Sequence, residues 1–278
     1  MKQRIISGAV GCALLVVLLF FNEIKFVLNI VIACVAVIAS YELLVATKYI
    51  NNRLLSFSCL IFTALVPFFR NPVFAVGGKT ACFLFVCVLF AFMIIKHEKI
   101  MLEQIGLIFM ISTVLPFAFS TIIWLRDLSD RDGIFYIIFI LICSWGTDIG
   151  AYFIGTFFGK HKFVPSISPN KTIEGVVGGI AVSVSLALVF GYFYRTVLVP
   201  QAAISLMSIG VTSFVCAIAS IFGDLSASII KRTCNIKDFG NIMPGHGGVL
   251  DRFDSVLFVA PLLYVIIEIL GIFPIIIS

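Results

Sequence analysis

Long apolar stretches are the feature of this sequence that most restricts how it can fold. A helix needs about 20 predominantly apolar residues to cross the hydrocarbon core of a membrane. Nine stretches approach that length, at about 5–21, 26–46, 54–69, 73–95, 105–125, 133–158, 175–194, 201–222 and 255–277. They lack the alternating polarity of membrane β-strands, and with only 12% charged residues a water-soluble fold is excluded. We therefore predict an all-α, polytopic integral membrane protein with about nine transmembrane helices.

The distribution of Lys and Arg predicts how these helices are oriented. With nine spans, 13 of the 19 Lys and Arg residues fall on one side of the membrane. Cytoplasmic loops are enriched in these residues, so we expect a cytoplasmic N-terminus and an external C-terminus. The first stretch begins like a secretory signal, but no small-residue cleavage site follows it, so we expect a retained span. The concentrated positive charge favours contact with membrane lipids, and we expect no nucleic acid partner.

The polar residues divide the chain into two parts. The spans up to residue 132 carry almost no ionisable residue apart from Glu42, and we interpret 1–132 as a scaffold for dimer or lipid contacts. The region 133–278 contains two longer loops, 159–174 and 223–254, which are rich in Gly, Pro, Lys and Asp. The two apolar stretches between them should bring both loops to one membrane face. We therefore predict a catalytic region at 133–278 with a two-part site on the cytoplasmic side.

Asp148 lies inside an apolar stretch and is the first candidate site residue. A carboxylate at membrane depth costs about 2.5 to 3.5 kcal/mol, so it should face the protein interior or a polar cavity. Ser144 and Tyr152 are spaced to form one polar stripe with it on a helix. The alternative is a buried hydrogen-bonded group that holds two helices together.

The loop 159–174 contains a pattern that suits phosphate binding. Ser168-Pro169-Asn170 is typical of a turn, and Thr172 is expected to cap a helix that begins near Glu174. Lys171 would add an ammonium group beside that helix N-terminus, and both features favour an anion. Taken alone, a basic loop is more often a topology signal.

The segment from Asp224 to Asp254 is the densest polar region. Asp224, Ser228 and Lys231 have the spacing of one helical face. The glycines around His246 permit positive φ and close approach of backbone N–H groups to an anion. Asp251 and Asp254 are expected at i and i+3 on one face of the last helix. His246 could bind phosphate, act as acid or base, or order the loop.

This combination of residues is typical of a metal-bound polyphosphate site. Carboxylates hold Mg²⁺, which keeps phosphate oxygens and waters among its ligands. Lys and Arg neutralise charge on phosphoryl oxygens. An ordinary solvated loop would explain the charges but not the glycines.

Positions from Ser228 to Asp254 resemble the signature of the phosphatidate cytidylyltransferase family, also called CDP-diacylglycerol synthases. The matching residues are Ser228, Ile230, Lys231, Arg232, Lys237, Asp238, Gly240, Pro244, His246, Gly247, Gly248, Val249, Asp251, Arg252, Phe253 and Asp254. Met243 departs from the pattern, where Leu, Ile or Phe is expected. The segment from Ser168 to Gly175 and the position of Asp224 are also similar to that family.

The resemblance implies a nine-helix enzyme, commonly a homodimer, in the bacterial inner membrane with its active site at the cytoplasmic face. Such an enzyme condenses CTP with phosphatidate to CDP-diacylglycerol and pyrophosphate, and uses Mg²⁺ with a second cation as a further candidate. The implied metal ligands are Asp224 and Asp251, with Asp254 as a third candidate. With the residue patterns above, we predict as catalytic residues Asp224, Asp251, Lys237, Asp238, His246 and Arg252. We predict as substrate-binding residues Ser168, Asn170, Lys171, Thr172, Ser228, Lys231, Arg232, Gly247, Gly248 and Asp148.

Three other classes of membrane protein could share parts of this pattern. A CTP-dependent polyprenol or phytol kinase would use similar residues, and only the full signature argues against it. A CDP-alcohol phosphotransferase would need a D-G-x2-A-R pattern that the sequence lacks. A membrane transporter would more often show internal repeats with a site at mid-membrane.

Overall fold

The structure is a computed structural model that describes residues 11, 24, 26–49, 53–71, 75–98, 100–128, 133–198, 205–242, 245 and 247–269. Helices dominate this part of the chain, as predicted. Six are long and apolar enough to cross a membrane, at Val27–Ala46, Val76–Ile95, Leu102–Arg126, Gly133–Phe158, Ile173–Leu198 and Leu206–Thr233. Two shorter apolar helices occur at Arg53–Phe68 and Val256–Glu268. The stretch predicted at 5–21 falls almost wholly outside the described residues, so the count of nine stays a prediction.

The elements are named here in chain order. The helices are α1 (Val27–Ala46), α2 (Arg53–Leu65), α3 (Ala75–Ile95), α4 (Leu102–Arg126), α5 (Gly133–Leu141), α6 (Thr147–Phe158), α7 (Ile173–Phe193), α8 (Leu206–Thr233), α9 (Leu250–Phe253) and α10 (Val256–Tyr264). A 3₁₀ turn follows α2, and π-helical turns lie at Ile142–Gly146, Tyr194–Leu198 and Val265–Ile269. Two short antiparallel strands, β1 (Lys162–Val164) and β2 (Ser168–Thr172), form a hairpin.

Internal contacts group the chain into two compact units. The first unit comprises Met1–Trp124 with Thr233–Phe253, and the second comprises Leu125–Arg232 with Asp254–Ser278. This grouping reflects packing, and the functional division at residue 132 stays a prediction.

In the first unit, α1 packs against α2 and also against the short helix α9. Ala36 and Ala39 of α1 are completely buried, and their small size allows close packing. The Asn29 side chain donates a hydrogen bond to the carbonyl oxygen of Pro67 at 2.8 Å. One end of α1 is thereby tied to the turn after α2.

In the second unit, α6 and α7 form the most extensive helix pair. The glycines of this pair bring the two backbones together: a Cβ on Gly179 would lie 2.6 Å from the carbonyl oxygen of Thr147. Helix α8 is linked to the π-helical turn before α6, because Ser220 Oγ donates to the carbonyl oxygen of Ser144 at 3.3 Å. These contacts bring α7 against α6 and bring α8 to the π-helical turn from which α6 continues.

The hairpin corrects one local prediction. Ser168-Pro169-Asn170 lies in β2 rather than in a turn, and the turn lies at 165–167, where Ile167 N–H donates to Val164 at 3.2 Å. Pro169 fits here because a two-stranded hairpin has edge positions that require no N–H donor. The cap prediction is confirmed, since the Thr172 hydroxyl accepts the Gly175 N–H at 3.1 Å and α7 begins at Ile173.

The polar stripe predicted on the Asp148 helix is wrong. Ser144 is fully buried, whereas Tyr152 is 69% exposed. The π-helical turn at Ile142–Gly146 inserts an extra residue into the helical period. Ser144 therefore faces the protein interior, whereas Tyr152 faces the protein surface.

The segment predicted as a loop at 223–254 is partly helical. Helix α8 continues to Thr233, so Asp224, Ser228 and Lys231 do lie on one helix, as their spacing indicated. Asp251 and Asp254 do not share one helix, because α9 ends at Phe253 and α10 begins at Val256. Asp254 Oδ1 accepts the Ser255 N–H at 2.7 Å, and such local side-chain bonds compete with helical backbone bonds.

Candidate active site

Three carboxylates of the second unit interact electrostatically and are called the acidic cluster here. They are Asp148 of α6, Asp224 of α8 and Asp254, which precedes α10. Ser255 links two of them, because its hydroxyl lies 3.2 Å from Asp148 Oδ2 and 3.4 Å from Asp254 Oδ1. Asp148 and Asp224 both repel the negative charge of Asp254. Carboxylates from three separate elements thus interact with one another.

The electrostatics of the acidic cluster favour added positive charge. Asp254 is 6% exposed, and burial, followed by repulsion from Asp224 and Asp148, raises its pKa from 3.8 to about 7. Lys231 and the Ser255 N–H act in the opposite direction but do not cancel this effect. A cation at this position would relieve the repulsion between the carboxylates.

Two lysines bring positive charge to the acidic cluster. Lys171 of β2 forms an ion pair with Asp224 Oδ2, and Lys231 of α8 stabilises the charged form of Asp254. Arg232 instead donates from Nε to the carbonyl oxygen of Ile167 at 3.3 Å, which ties α8 to the hairpin turn. The two segments predicted to form a two-part site, 159–174 and the start of 223–254, are therefore in direct contact.

The remaining candidates of the hairpin and α8 differ in exposure. Ser168 and Ser228 are half-buried and Asn170 is exposed. Thr172 is buried, and its hydroxyl is engaged in the cap of α7. A further contact that the sequence did not indicate holds the hairpin: Glu174 accepts the backbone N–H groups of Lys160 and His161.

In the first unit, the glycine-containing segment before α9 is organised by two carboxylates. Asp251 Oδ2 accepts the N–H groups of Phe239 at 2.8 Å and Gly248 at 3.0 Å. Glu42 accepts the N–H groups of Val249 and Leu250. The sequence suggested that glycines bring backbone N–H groups to an anion, and the anions present here are side chains of the chain itself.

The glycines of this segment behave partly as expected. Gly245 and Gly247 have φ values of 80° and 90°, a region that L-residues with side chains rarely adopt. Gly248 has an ordinary φ, and its importance lies in the space it leaves for Glu42. Lys237, Asp238 and Arg252 are exposed. His246 and Met243 lie outside the described residues.

The predicted metal ligands, Asp224, Asp251 and Asp254, are not gathered into one ligand set in the part of the chain that the structure describes. Among the described residues, no group of three or more His, Cys, Asp or Glu side chains is arranged to hold a metal ion. Asp224 and Asp254 belong to the second unit and Asp251 to the first. A cation would offset the repulsion within the acidic cluster, and carboxylate oxygens are the ligands that a hard divalent ion prefers, so a metal at the acidic cluster stays a prediction.

Sequence reasoning missed Glu42 and Ser255 as members of these networks. Glu42 had a usable signal, because it is an ionisable residue among apolar spans that carry almost no other, and such residues are usually functional or paired. Ser255 had none, since a serine before an apolar helix is common.

The fold and the site together define a polytopic helical membrane protein with acidic and basic groups paired at one site. The model of the cytidylyltransferase family matches residues 2–270. The phosphatidate cytidylyltransferase of Bacillus subtilis (strain 168) is 36% identical over 271 residues, which are 95% of this chain and 96% of that protein. The chain belongs to the cytidylyltransferase family.

Other relatives match a shorter part of the chain. The phosphatidate cytidylyltransferase of Staphylococcus haemolyticus (strain JCSC1435) is 45% identical over 139 residues, which are 49% of this chain and 50% of that protein. The protein of the same name from Staphylococcus saprophyticus is 43% identical over 136 residues, again 49% and 50%.

Proposed function

We propose that this protein is a phosphatidate cytidylyltransferase, which condenses CTP with phosphatidate to CDP-diacylglycerol and pyrophosphate. The observation that carries the proposal is the similarity to the Bacillus subtilis enzyme along 95% of the chain. The ion pair between Lys171 and Asp224 adds support, because it joins the two segments whose motifs resemble this family.

In the proposed reaction, a phosphate oxygen of phosphatidate attacks the α-phosphorus of CTP. A new P–O bond forms, the bond between the α-phosphorus and the bridging oxygen breaks, and pyrophosphate leaves with that oxygen. A phosphate dianion is already a nucleophile, so no strong general base is required. The main task of the protein is to position two anions and to neutralise their charge.

The cationic residues supply that neutralisation. Lys171 and Lys231 stand beside the acidic cluster, where they can exchange a carboxylate for a phosphate oxygen. Arg232 orients the hairpin through Ile167, and the exposed side chains of Lys237 and Arg252 are further phosphate ligands. The remaining roles predicted from the sequence are retained in this proposal. Catalytic roles are assigned to His246 and Asp238, and substrate binding to Ser168, Asn170, Ser228, Gly247 and Gly248.

Mg²⁺ is the proposed cofactor. Asp224 and Asp254, with Asp148 beside them, would hold it in the second unit. Asp251, which the resemblance also implies as a metal ligand, keeps that role as a separate proposal. When bound, it supplies charge neutralisation for the polyphosphate.

The reaction class is tested with two labels. The purified protein is incubated with phosphatidate, Mg²⁺ and CTP labelled on either the α- or the γ-phosphorus. We expect α-label in the lipid product and γ-label in pyrophosphate. Transfer of γ-label to lipid with release of CDP would instead identify a lipid kinase and contradict the proposal.

The site is tested by single substitutions. Asp224→Asn and Asp251→Asn are each expected to lower kcat at least about 100-fold, because each removes a proposed cation ligand. The control is Asp127→Asn, which removes an exposed carboxylate paired with Arg126 and should retain activity. Near-normal Mg²⁺-dependent turnover of both variants would refute the metal assignment.

The oligomeric state, the membrane and the location of the active site are also proposed, on the basis of the family resemblance. We propose a homodimer in the bacterial inner membrane with its active site at the cytoplasmic face, where CTP is available. The molar mass of the detergent-solubilised protein by light scattering tests the oligomeric state.

A further inference from the structure

Glu42 occupies a position in α1 that links it to the start of α9. It is 3% exposed. Its Oε1 accepts the Val249 N–H at 2.9 Å and its Oε2 accepts the Leu250 N–H at 2.8 Å. The first N–H groups of a helix have no partners inside that helix. Glu42 provides such partners from a residue 208 positions away from Leu250 in the chain.

The segment before α9 is shaped around the Glu42 carboxylate. A Cβ on Gly248 would lie 2.5 Å from Glu42 Oε1 and 2.6 Å from Oε2. A Cβ on Gly240 would lie 2.8 Å from Glu42 Cδ. Side chains at either position would displace the carboxylate, so both glycines allow the backbone to close over it.

Asp251 ties the same segment together from within. Its Oδ2 receives the N–H groups of Phe239 and Gly248, while Glu42 receives those of the next two residues after Gly248. Hydrogen bonds to charged acceptors are about twice as strong as neutral ones. Two carboxylates therefore hold four backbone N–H groups between Phe239 and Leu250. Asp251 belongs to the same segment, 239–251, whereas Glu42 comes from a distant part of the chain.

We infer that Glu42 is a positioning residue for cytidylyl transfer. It holds the described residues of this segment, 237–242, 245 and 247–253, in the conformation that presents Lys237, Asp251 and Arg252. The inference rests on the proposed function, because these residues act on substrate only if that function is correct. The scaffold half of the chain thus contributes directly to the geometry of the catalytic segment.

The test compares Glu42→Gln with a control in the same helix. Glutamine keeps one acceptor oxygen but places an NH₂ group against a backbone N–H. Asn29→Leu is the control, because it removes a buried hydrogen bond of α1, to Pro67, without touching this segment. Measurements are kcat and KM for both substrates, Tm, and amide hydrogen exchange of peptides covering 239–253.

For Glu42→Gln we expect at least about a tenfold fall in kcat and at least about tenfold faster exchange at Val249 and Leu250. KM values should change less than about threefold, and Glu42→Asp should recover part of kcat, since it retains two acceptor oxygens. Asn29→Leu should lower Tm but leave kcat and exchange in this segment unchanged.

Two results would overturn the inference. One is wild-type exchange and kcat in Glu42→Gln, and the other is an equal loss of kcat in Asn29→Leu at the same distance below its Tm. If wild-type protein shows no cytidylyl transfer, the proposed function fails, whereas the exchange data still decide whether Glu42 orders the segment. If Glu42→Gln does not fold, Glu42→Asp is measured in its place, and normal exchange with less than half of wild-type kcat would contradict the inference.

Discussion

At the scale of single residues, the carboxylates of this protein are stabilised in two different ways. Glu42 and Asp251 accept backbone N–H groups, which compensate for removing their charge from water. Asp254 instead faces Asp148 and Asp224 and is only partly offset by Lys231. The first pair organises backbone, whereas the acidic cluster retains unfavourable repulsion that a bound cation would remove.

The raised pKa of Asp254 leads to a prediction about stability and pH. Its value of about 7 in the folded protein exceeds the ordinary 3.8, so its contribution to stability is fully present below about pH 4. That contribution is lost as pH rises through about 7, and it amounts to roughly 1 to 4 kcal/mol. Asp254→Asn removes the titration, so the Tm of the variant minus that of wild type should increase between pH 4 and pH 8.

Thermal unfolding in detergent with EDTA measures this difference, since a divalent cation would mask the repulsion. Asp127→Asn is the control, because Asp127 is exposed and outside the acidic cluster. A difference between Asp254→Asn and wild type that does not vary with pH would contradict the prediction.

Gly248 provides a second prediction at this scale. Its missing side chain leaves room for a Glu42 carboxylate that is held by two hydrogen bonds. Gly248→Ala should therefore lower stability by about 1 to 3 kcal/mol, as overpacked sites do. The same substitution should cost less in a Glu42→Ala background, where the space is open. Denaturant unfolding of the four proteins forms a double-mutant cycle, and strictly additive effects would contradict this contact.

At the scale of elements, the pair α6 and α7 positions the acidic cluster. Asp148 lies in the first turn of α6, and the close approach of the two helices depends on glycines on both. The hairpin between them is held to the start of α7 by Glu174 and carries Lys171. The separation of the two helices therefore determines where the carboxylate and the lysine lie.

Gly179→Ala tests this arrangement. The added Cβ would meet the Thr147 carbonyl oxygen at 2.6 Å, and a helix backbone cannot move aside as a flexible side chain can. We expect a loss of about 1 to 3 kcal/mol in stability together with reduced activity, because Asp148 shifts with α6. Gly106→Ala is the matched control, since nothing lies within 4 Å of a Cβ there. Its Tm should be unchanged or slightly higher, because alanine favours helices; equal Tm values for both variants would refute the prediction.

At the scale of the whole molecule, the distribution of Lys and Arg predicts how the chain is oriented in the membrane. Glu42 near the end of α1 bonds the start of α9, so these two ends share one side of the membrane. The excess of Lys and Arg predicts that this side is cytoplasmic. With nine spans, the C-terminus is then external.

Reporter fusions test this topology. Alkaline phosphatase, which is active only outside the cytoplasm, should be active when fused after Ser278 and inactive when fused after Lys48. A green fluorescent protein fusion should show the reverse pattern. Activity after Lys48 would contradict the predicted orientation, whereas inactivity at both points would require an even number of spans between Lys48 and Ser278.

Much of the fold follows from local patterns in the sequence. Apolar stretches predicted the helical segments to within several residues at most ends, since burial in lipid depends mainly on composition and length. The spacing of Asp224, Ser228 and Lys231 predicted that they lie on one helix, α8. Thr172 was correctly predicted to cap the helix that follows the hairpin, α7. The signature from Ser228 to Asp254 predicted the family, which the similarity along the chain confirmed.

Tertiary structure alone decided what these local patterns could not. The π-helical turn before α6 changed which residues accompany Asp148, and a break at Asp254 separated it from the helix of Asp251. The partners of Glu42 lie 207 and 208 positions away, and no local period encodes such a pairing. By itself the sequence determined where the chain crosses apolar surroundings and which residues carry charge. Only the fold decided which carboxylates receive backbone N–H groups and which face one another, because hydrogen bonding and repulsion depend on distances that packing sets.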